Sequence, residues 1–149
     1  MLILAVNPGS TSTKLGIFRD EQALCKLTVP HSSEDLAKFK RIADQEEYRY
    51  KAIESFLTEQ GFSADDFDCV VARGGGLLRM KSGAYRINEE MLDELKNIRL
   101  GEHASTLAAG IAYRMMEPLG RPAYIYDAIT GHWYQSAIQV RLGLRSAYV

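Results

Sequence analysis

The stretch Leu2-Ile3-Leu4-Ala5-Val6-Asn7-Pro8-Gly9-Ser10-Thr11-Ser12-Thr13-Lys14-Leu15-Gly16-Ile17-Phe18 decides the architecture. Leu2 to Val6 is an aliphatic run of strand length, and Asn-Pro-Gly ends it in a turn. Lys14 to Phe18 reads as a second strand and Ala23 to Val29 as a third, with Arg19-Asp20-Glu21 as a hairpin turn between them. Three strands with tight connections predict an antiparallel meander.

Working outward, Ser32-Ser33-Glu34-Asp35 opens a helix with hydroxyl caps and acidic residues in its first turn. Leu36, Phe39, Ala43, Tyr50, Ile53 and Leu57 keep three- and four-residue spacing, so the helical segment spans Glu34 to Gln60. Glu46 interrupts the stripe and allows a break, and Gly61 supplies the stop. Cys69 to Ala72 is an apolar strand that runs into Arg73-Gly74-Gly75-Gly76. Ala84 to Ile87 is short and strand-like. Asn88 caps a helix through about Ile98, with Ile87 and Leu92 placed for a hydrophobic staple. Gly101-Glu102-His103 leads into another helix with Leu107, Ile111 and Met115 on one face. Pro118, Gly120 and Pro122 end it, and Ala123 to Tyr126 is a strand stopping at Asp127. This order predicts an α/β domain with a mixed, five-stranded sheet and helices on its faces. Gly131 to Val149 shows no clear period.

The composition narrows the function. The chain has 149 residues, 46% hydrophobic and 25% charged, which suits one folded domain. A formal net charge of -1 gives no electrostatic footprint for nucleic acid or an anionic membrane. Cys25 and Cys69 lie far apart without a CxxC or His-rich context, which argues against a disulfide framework or a zinc site. They read as small buried residues near strands. MLILAV is too short for a signal peptide's apolar core or a membrane span, so the expected compartment is the cytoplasm.

The chemistry-bearing residues sit at strand ends and loops, where α/β domains place ligands. The turn Asn7 to Lys14 offers backbone N–H groups, the hydroxyls of Ser10, Thr11, Ser12 and Thr13, and a cation. Such a set suits phosphate or metal-bound phosphate. It is not a Walker A loop, since the GxxxxGK[ST] spacing is missing and a strand follows. On composition alone an ordinary polar hairpin is the simpler reading. Arg73 before Gly74 and Gly75 can hold a carboxylate or phosphate bidentately, or be a surface Arg on a flexible loop. His103 at a helix start can donate to a phosphoryl oxygen, or simply cap the helix. Asp127 at a strand end can position Mg²⁺, or start a turn. His31 and His132 lack partners at metal-ligand spacing and read as incidental. Together the set has an anion turn, an Arg, a His and an Asp but no nucleophile–base pair. It fits phosphoryl transfer, where positioning and charge stabilisation do the catalysis.

Three motifs then carry a family resemblance: Val6-Asn-Pro-Gly-Ser-Thr-Ser-Thr-Lys14, Ala72-Arg-Gly-Gly-Gly76 and Gly101-Glu-His-Ala-Ser105. In this order and spacing, with Phe39-Lys-Arg-Ile42 and Tyr85-Arg-Ile-Asn88 between them, the chain resembles butyrate kinase. That family is a branch of the acetate kinase group in the sugar kinase, Hsp70 and actin superfamily. The resemblance covers Met1 to about Thr130 and implies an RNase H-like (actin-like ATPase) fold. It implies transfer of the γ-phosphoryl of ATP to a short-chain carboxylate, reversibly, giving an acyl phosphate and ADP, with Mg²⁺. It implies that Asn7 and the Gly9–Lys14 turn face the Mg²⁺-bound phosphates. Arg73, with Gly74 and Gly75, would hold the substrate carboxylate and the migrating phosphoryl. His103 would hydrogen-bond that phosphoryl in the transition state, and Asp127 would help position Mg²⁺, with Asn7, or the attacking carboxylate.

Family members are more than twice this length and hold ATP between two similar domains. The expectation is therefore one domain over 1–130, a divergent tail over 131–149, and a second, nucleotide-binding domain outside this sequence. From Gly131 the residues no longer look like the family, which an altered reading frame, a premature end or lineage divergence would each explain. A homo-oligomer or a complementary domain is the expected partner. A different acid preference (acetate, propionate or a branched acid) and a non-catalytic phosphate- or partner-binding module are the alternatives.

Overall fold

The computed structural model describes residues 1–73, 83–97 and 103–126. Strands β1 (Leu2–Pro8), β2 (Ser12–Arg19) and β3 (Gln22–Pro30) form the expected meander. β1 pairs antiparallel with β2, and β2 with β3. Arg19 and Gln22 face each other across the β2–β3 turn, where Asp20 takes a left-handed φ of 55°. Asp tolerates that region better than most residues. A bulge beside Ile17 and Phe18 leaves Leu24 without a cross-strand partner in the ladder.

The predicted long helix is divided. A single turn, α1 (Ser33–Leu36), is capped by the Ser32 hydroxyl, which accepts from the Asp35 N–H. A 3-10 turn at Ile42–Gln45 then leads into α2 (Glu46–Glu59). Gly61 follows with a φ of 80°, the left-handed stop the sequence predicted. Strand β4 (Cys69–Arg73) lies parallel to β1, and β6 (Ala123–Tyr126) lies parallel to β4. Between them in sequence come β5 (Ala84–Arg86), α3 (Glu89–Lys96) and α4 (Leu107–Met116). Among the described residues the sheet order is β3-β2-β1-β4-β6-β5. The sheet thus has six strands rather than the predicted five. The sixth is β5, the segment read as short and strand-like but not counted among the five, which pairs antiparallel with β6 at the edge. At three residues it is too short to show an apolar period.

The core sits on both sides of the sheet. One cluster joins Leu4, Val6, Leu15, Ile17, Val70 and Ile125 to the buried faces of α2, α3 and α4. All the buried apolar residues of these helices, Leu107, Ile111 and Met115 among them, belong to this cluster. The other side carries Ile3, Ala5, Phe18, Cys69, Val71, Tyr124 and Tyr126 as a second buried cluster. Cys69 is buried and Cys25 half-buried, and both are free thiols. Burial pushes the Cys69 thiol up to about 12, so it behaves as a small core residue. No described helix is long and apolar enough to cross a membrane.

Candidate phosphate-binding site

Strand alternation assigns the site residues to sides of the sheet. On β1, Leu4 and Val6 face the helices, whereas Ile3 and Ala5 face the opposite way. Asn7 continues the second set. On β4, Val70 and Ala72 belong with the helices and Cys69 and Val71 with the other side, so Arg73 shares the side of Asn7. Because β1 and β4 are parallel and pair Val6 with Ala72, their carboxyl ends meet at one edge. Ligands in open α/β sheets bind at such ends. Lys14, paired with Asn7 across the hairpin, comes to the same place from β2.

A cavity of about 280 Å³ lies there. Asn7, Gly9, Ser12 and Lys14 line it from the hairpin, and Arg73 from the end of β4. His103 and Ser105 close it from the segment leading into α4. These residues come from three distant parts of the chain. The described lining has two cations, an imidazole, hydroxyls and an amide, and no carboxylate. That set attracts an anion and offers it hydrogen-bond donors.

The site's local geometry is closely determined. The Gly9 N–H donates to the Ser12 carbonyl at 2.7 Å, closing the turn. A Cβ on Gly9 would lie 3.2 Å from that oxygen, so a side chain there would push the turn open by a few tenths of an ångström. The Ser105 N–H donates to His103 Nδ1 at 3.2 Å, and the Ser105 hydroxyl lies 2.8 Å from the same nitrogen. With Nδ1 accepting, the ring proton belongs on Nε2, leaving that N–H as the donor for a ligand. His103 therefore both caps the 3-10 turn at Ala104–Thr106 and keeps a donor.

Thr13 corrects the sequence reading of the turn. It shares strand parity with Leu15 and Ile17 and is fully buried on the helix side, away from the cavity. Its hydroxyl lies 2.8 Å from His31 Nε2. Ser10 and Thr11 are exposed at the tip of the turn and do not line the cavity. Gly74, Gly75, Asp127 and His132 lie outside the described residues.

Sequence reasoning missed the layer behind the turn. Arg49 on α2 is only 1% exposed. Its Nη1 donates to the Gly9 carbonyl at 2.8 Å and its Nη2 to the Ser10 carbonyl at 3.0 Å, while Nε reaches Gln45 Oε1 at 3.1 Å. His31, which read as incidental, belongs to the same layer. Its backbone N–H donates to the Thr11 carbonyl at 2.9 Å, and its ring lies against Tyr48. Burial and the neighbouring Arg49 charge lower its pKa from 6.5 to about 4. A signal for Arg49 existed: it lies four residues before Ile53 and eight before Leu57, on the buried stripe of α2.

No protein-family model matches the chain. It is 44% identical over 128 residues to the probable butyrate kinase 1 of Thermotoga maritima, a match covering 86% of this chain and 36% of the relative. Among solved structures it resembles the acetate kinase of Entamoeba histolytica, with a TM-score of 0.55 at 19% identity over 85% of this chain and 36% of that one. A propionate kinase from Francisella tularensis gives a TM-score of 0.50 at 17% identity, covering 89% of this chain and 38% of that one. The six-stranded mixed sheet is therefore an RNase H-like, actin-like ATPase fold. Sequence and fold agree on the relationship: over 128 of its residues the chain is a relative of proteins named probable butyrate kinase, and the match spans 36% of their length.

Proposed function

We propose that this chain is the phosphoryl-gripping part of a cytoplasmic carboxylate kinase, which moves the γ-phosphoryl of ATP to butyrate or a similar short-chain acid. The observation that carries the proposal is the cavity at the carboxyl ends of β1 and β4, lined by Lys14, Arg73 and His103 and with no carboxylate among its described lining residues. The relatives' names support the choice of acid. In the reaction an oxygen of the acid forms a bond to the γ-phosphorus while the bond to the bridging oxygen of ADP breaks. The products are an acyl phosphate and ADP, and the step is reversible. No proton transfer to a side chain is needed, so catalysis is positioning and charge stabilisation.

Arg73 would hold the acid and the migrating phosphoryl with its planar fork. His103 would donate from Nε2 to an equatorial phosphoryl oxygen. Lys14 would add charge, and the turn's N–H groups would hold the phosphate. The donor set fits a magnesium-bound phosphate, because Asn7 and Ser12 offer neutral oxygens to the cavity. No cluster of three or more His, Cys, Asp or Glu among the described residues forms a metal cage. Mg²⁺ would then arrive with the nucleotide, which matches its habit of keeping waters and phosphate ligands. When bound, it neutralises phosphate charge. Asp127 is proposed to assist there. The adenosine side of the cleft is assigned to a second domain or partner chain.

The test is a kinase assay with butyrate and Mg-ATP, trapping acyl phosphate with hydroxylamine. It compares the chain alone with the chain supplied with the remaining length of a relative. Product that falls at least 100-fold in Arg73→Ala, with an unchanged melting curve, is the expected result (order of magnitude for one lost transition-state donor). Product that persists in Arg73→Ala would remove the catalytic assignment. No product in either preparation would favour the alternative of a non-catalytic phosphate-binding module.

A further inference from the structure

We infer that Arg49 is a positioning residue of the hairpin turn: its buried guanidinium draws the Gly9 and Ser10 carbonyls back and so turns the Ser10 and Thr11 N–H groups outward at the exposed tip of the turn, beside the cavity that Gly9 and Ser12 line. The inference rests on the phosphate-binding role proposed above. In a trans peptide the C=O and the following N–H point in opposite directions, and no described peptide is cis. Holding a carbonyl therefore aims the next N–H.

All four carbonyls of the turn are held by protein donors. Gly9 and Ser10 accept from Arg49, Thr11 from the His31 N–H, and Ser12 from the Gly9 N–H. With these oxygens engaged, none is left to repel an anion, and the turn presents donors. Lysine would not substitute. A single ammonium group cannot reproduce a fork that grips two successive carbonyls while Nε anchors on Gln45.

Charge supports the same conclusion. The hydrogen bonds of Arg49 end on the neutral oxygens of Gln45, Gly9 and Ser10, and no described carboxylate forms an ion pair with it. An uncompensated buried cation is costly in a core. Directly behind an anion site that cost is offset, because the field across the turn is weakly screened.

The test uses the 149-residue chain, ¹⁵N-labelled, with inorganic phosphate as the probe. Residual dipolar couplings give the N–H directions of Ser10 and Thr11 without ligand, and amide shifts give the phosphate affinity of the folded molecules. In Arg49→Lys the Ser10 and Thr11 couplings should change, those of α4 should stay, and phosphate binding should weaken roughly tenfold, the scale of one charge-assisted hydrogen bond. Unchanged couplings overturn the inference whether or not binding weakens. Changed couplings in a chain whose parent never responds to phosphate would support Arg49 as the holder of the turn and overturn the phosphate assignment instead. If Arg49→Lys does not fold, Gln45→Ala loosens the same guanidinium at Nε. A smaller change in the same two couplings is then expected, and none would overturn the inference.

Discussion

At the residue scale, His31 gives a pH prediction that follows from burial. Its ring is 4% exposed, with Nε2 on the Thr13 hydroxyl, Nδ1 without a hydrogen-bond partner, and the Arg49 cation nearby. Tyr48 is the other group facing it. These surroundings disfavour the imidazolium, lowering the pKa from 6.5 to about 4. Below pH 6.5 the unfolded chain takes up a proton here that the folded chain refuses. Stability from this group is thus full above pH 6.5 and is lost as pH falls toward 4, by on the order of 3 kcal/mol. Ring-proton NMR should show His31 titrating near pH 4, and a midpoint near 6.5 would contradict the buried geometry. His31→Gln should lack this part of the acid slope in urea titrations. The sequence showed His31 only as a histidine without metal-spaced neighbours. Its role depends on Thr13 and Arg49 meeting it in space, which no local pattern encodes.

At the element scale, aliphatic runs bounded by Asn-Pro-Gly, Arg-Gly-Gly and Pro-Ala made most of the sheet legible, and the capping of α3 was legible too. Asn88 Oδ1 accepts from the Met91 N–H at 2.9 Å, as the sequence required of a helix N-cap. Asn88→Ala should cost about 1 kcal/mol, whereas Asn88→Asp, which keeps an accepting oxygen, should cost only a few tenths. Urea midpoints at constant slope decide this, and equal losses in both variants would show that the amide acts elsewhere. Two elements were only partly legible. β5 was read as short and strand-like but left out of the sheet, because with three residues and an exposed Arg86 it is defined by edge pairing rather than by an apolar period. α2 was read within a helical segment from Glu34 to Gln60 with a break allowed at Glu46, and Glu46 is where α2 begins. Its buried stripe is Arg49, Ile53 and Leu57, and the chain ahead of it forms only a single turn and a 3-10 turn. A charged residue at a buried helical position is read as solvated unless its partners are known. Here those partners are carbonyls some forty positions earlier in the chain.

At the scale of the whole molecule, the parallel trio β1, β4 and β6 fixes what this chain can hold. β1 and β4 bring Asn7 and Arg73 to one edge, β2 brings Lys14 there across the hairpin, and the segment leading into α4 brings His103 to meet them, so the site exists only once these strands pair. The sequence could name these residues because each sits at a strand end or helix start. It could not show that Thr13 turns away, since that depends on which side of β2 the helices cover. The cavity's 280 Å³ falls just below the range of about 300–1,000 Å³ typical of pockets that enclose a whole small molecule. Its described lining is polar and cationic, and none of those residues is aromatic apart from the His103 imidazole. It should therefore grip phosphate and leave the nucleoside unheld. Calorimetry on the 149-residue chain with Mg-ATP and with magnesium tripolyphosphate should give affinities within about threefold of each other, a difference under 1 kcal/mol. Both should fall with added salt, as binding between exposed charges requires. If Mg-ATP instead bound more than about tenfold tighter, this chain would hold the nucleoside itself, and the second-domain assignment would be wrong. Equal affinities that both collapse in Arg73→Ala and Lys14→Ala would place the shared phosphate in this cavity.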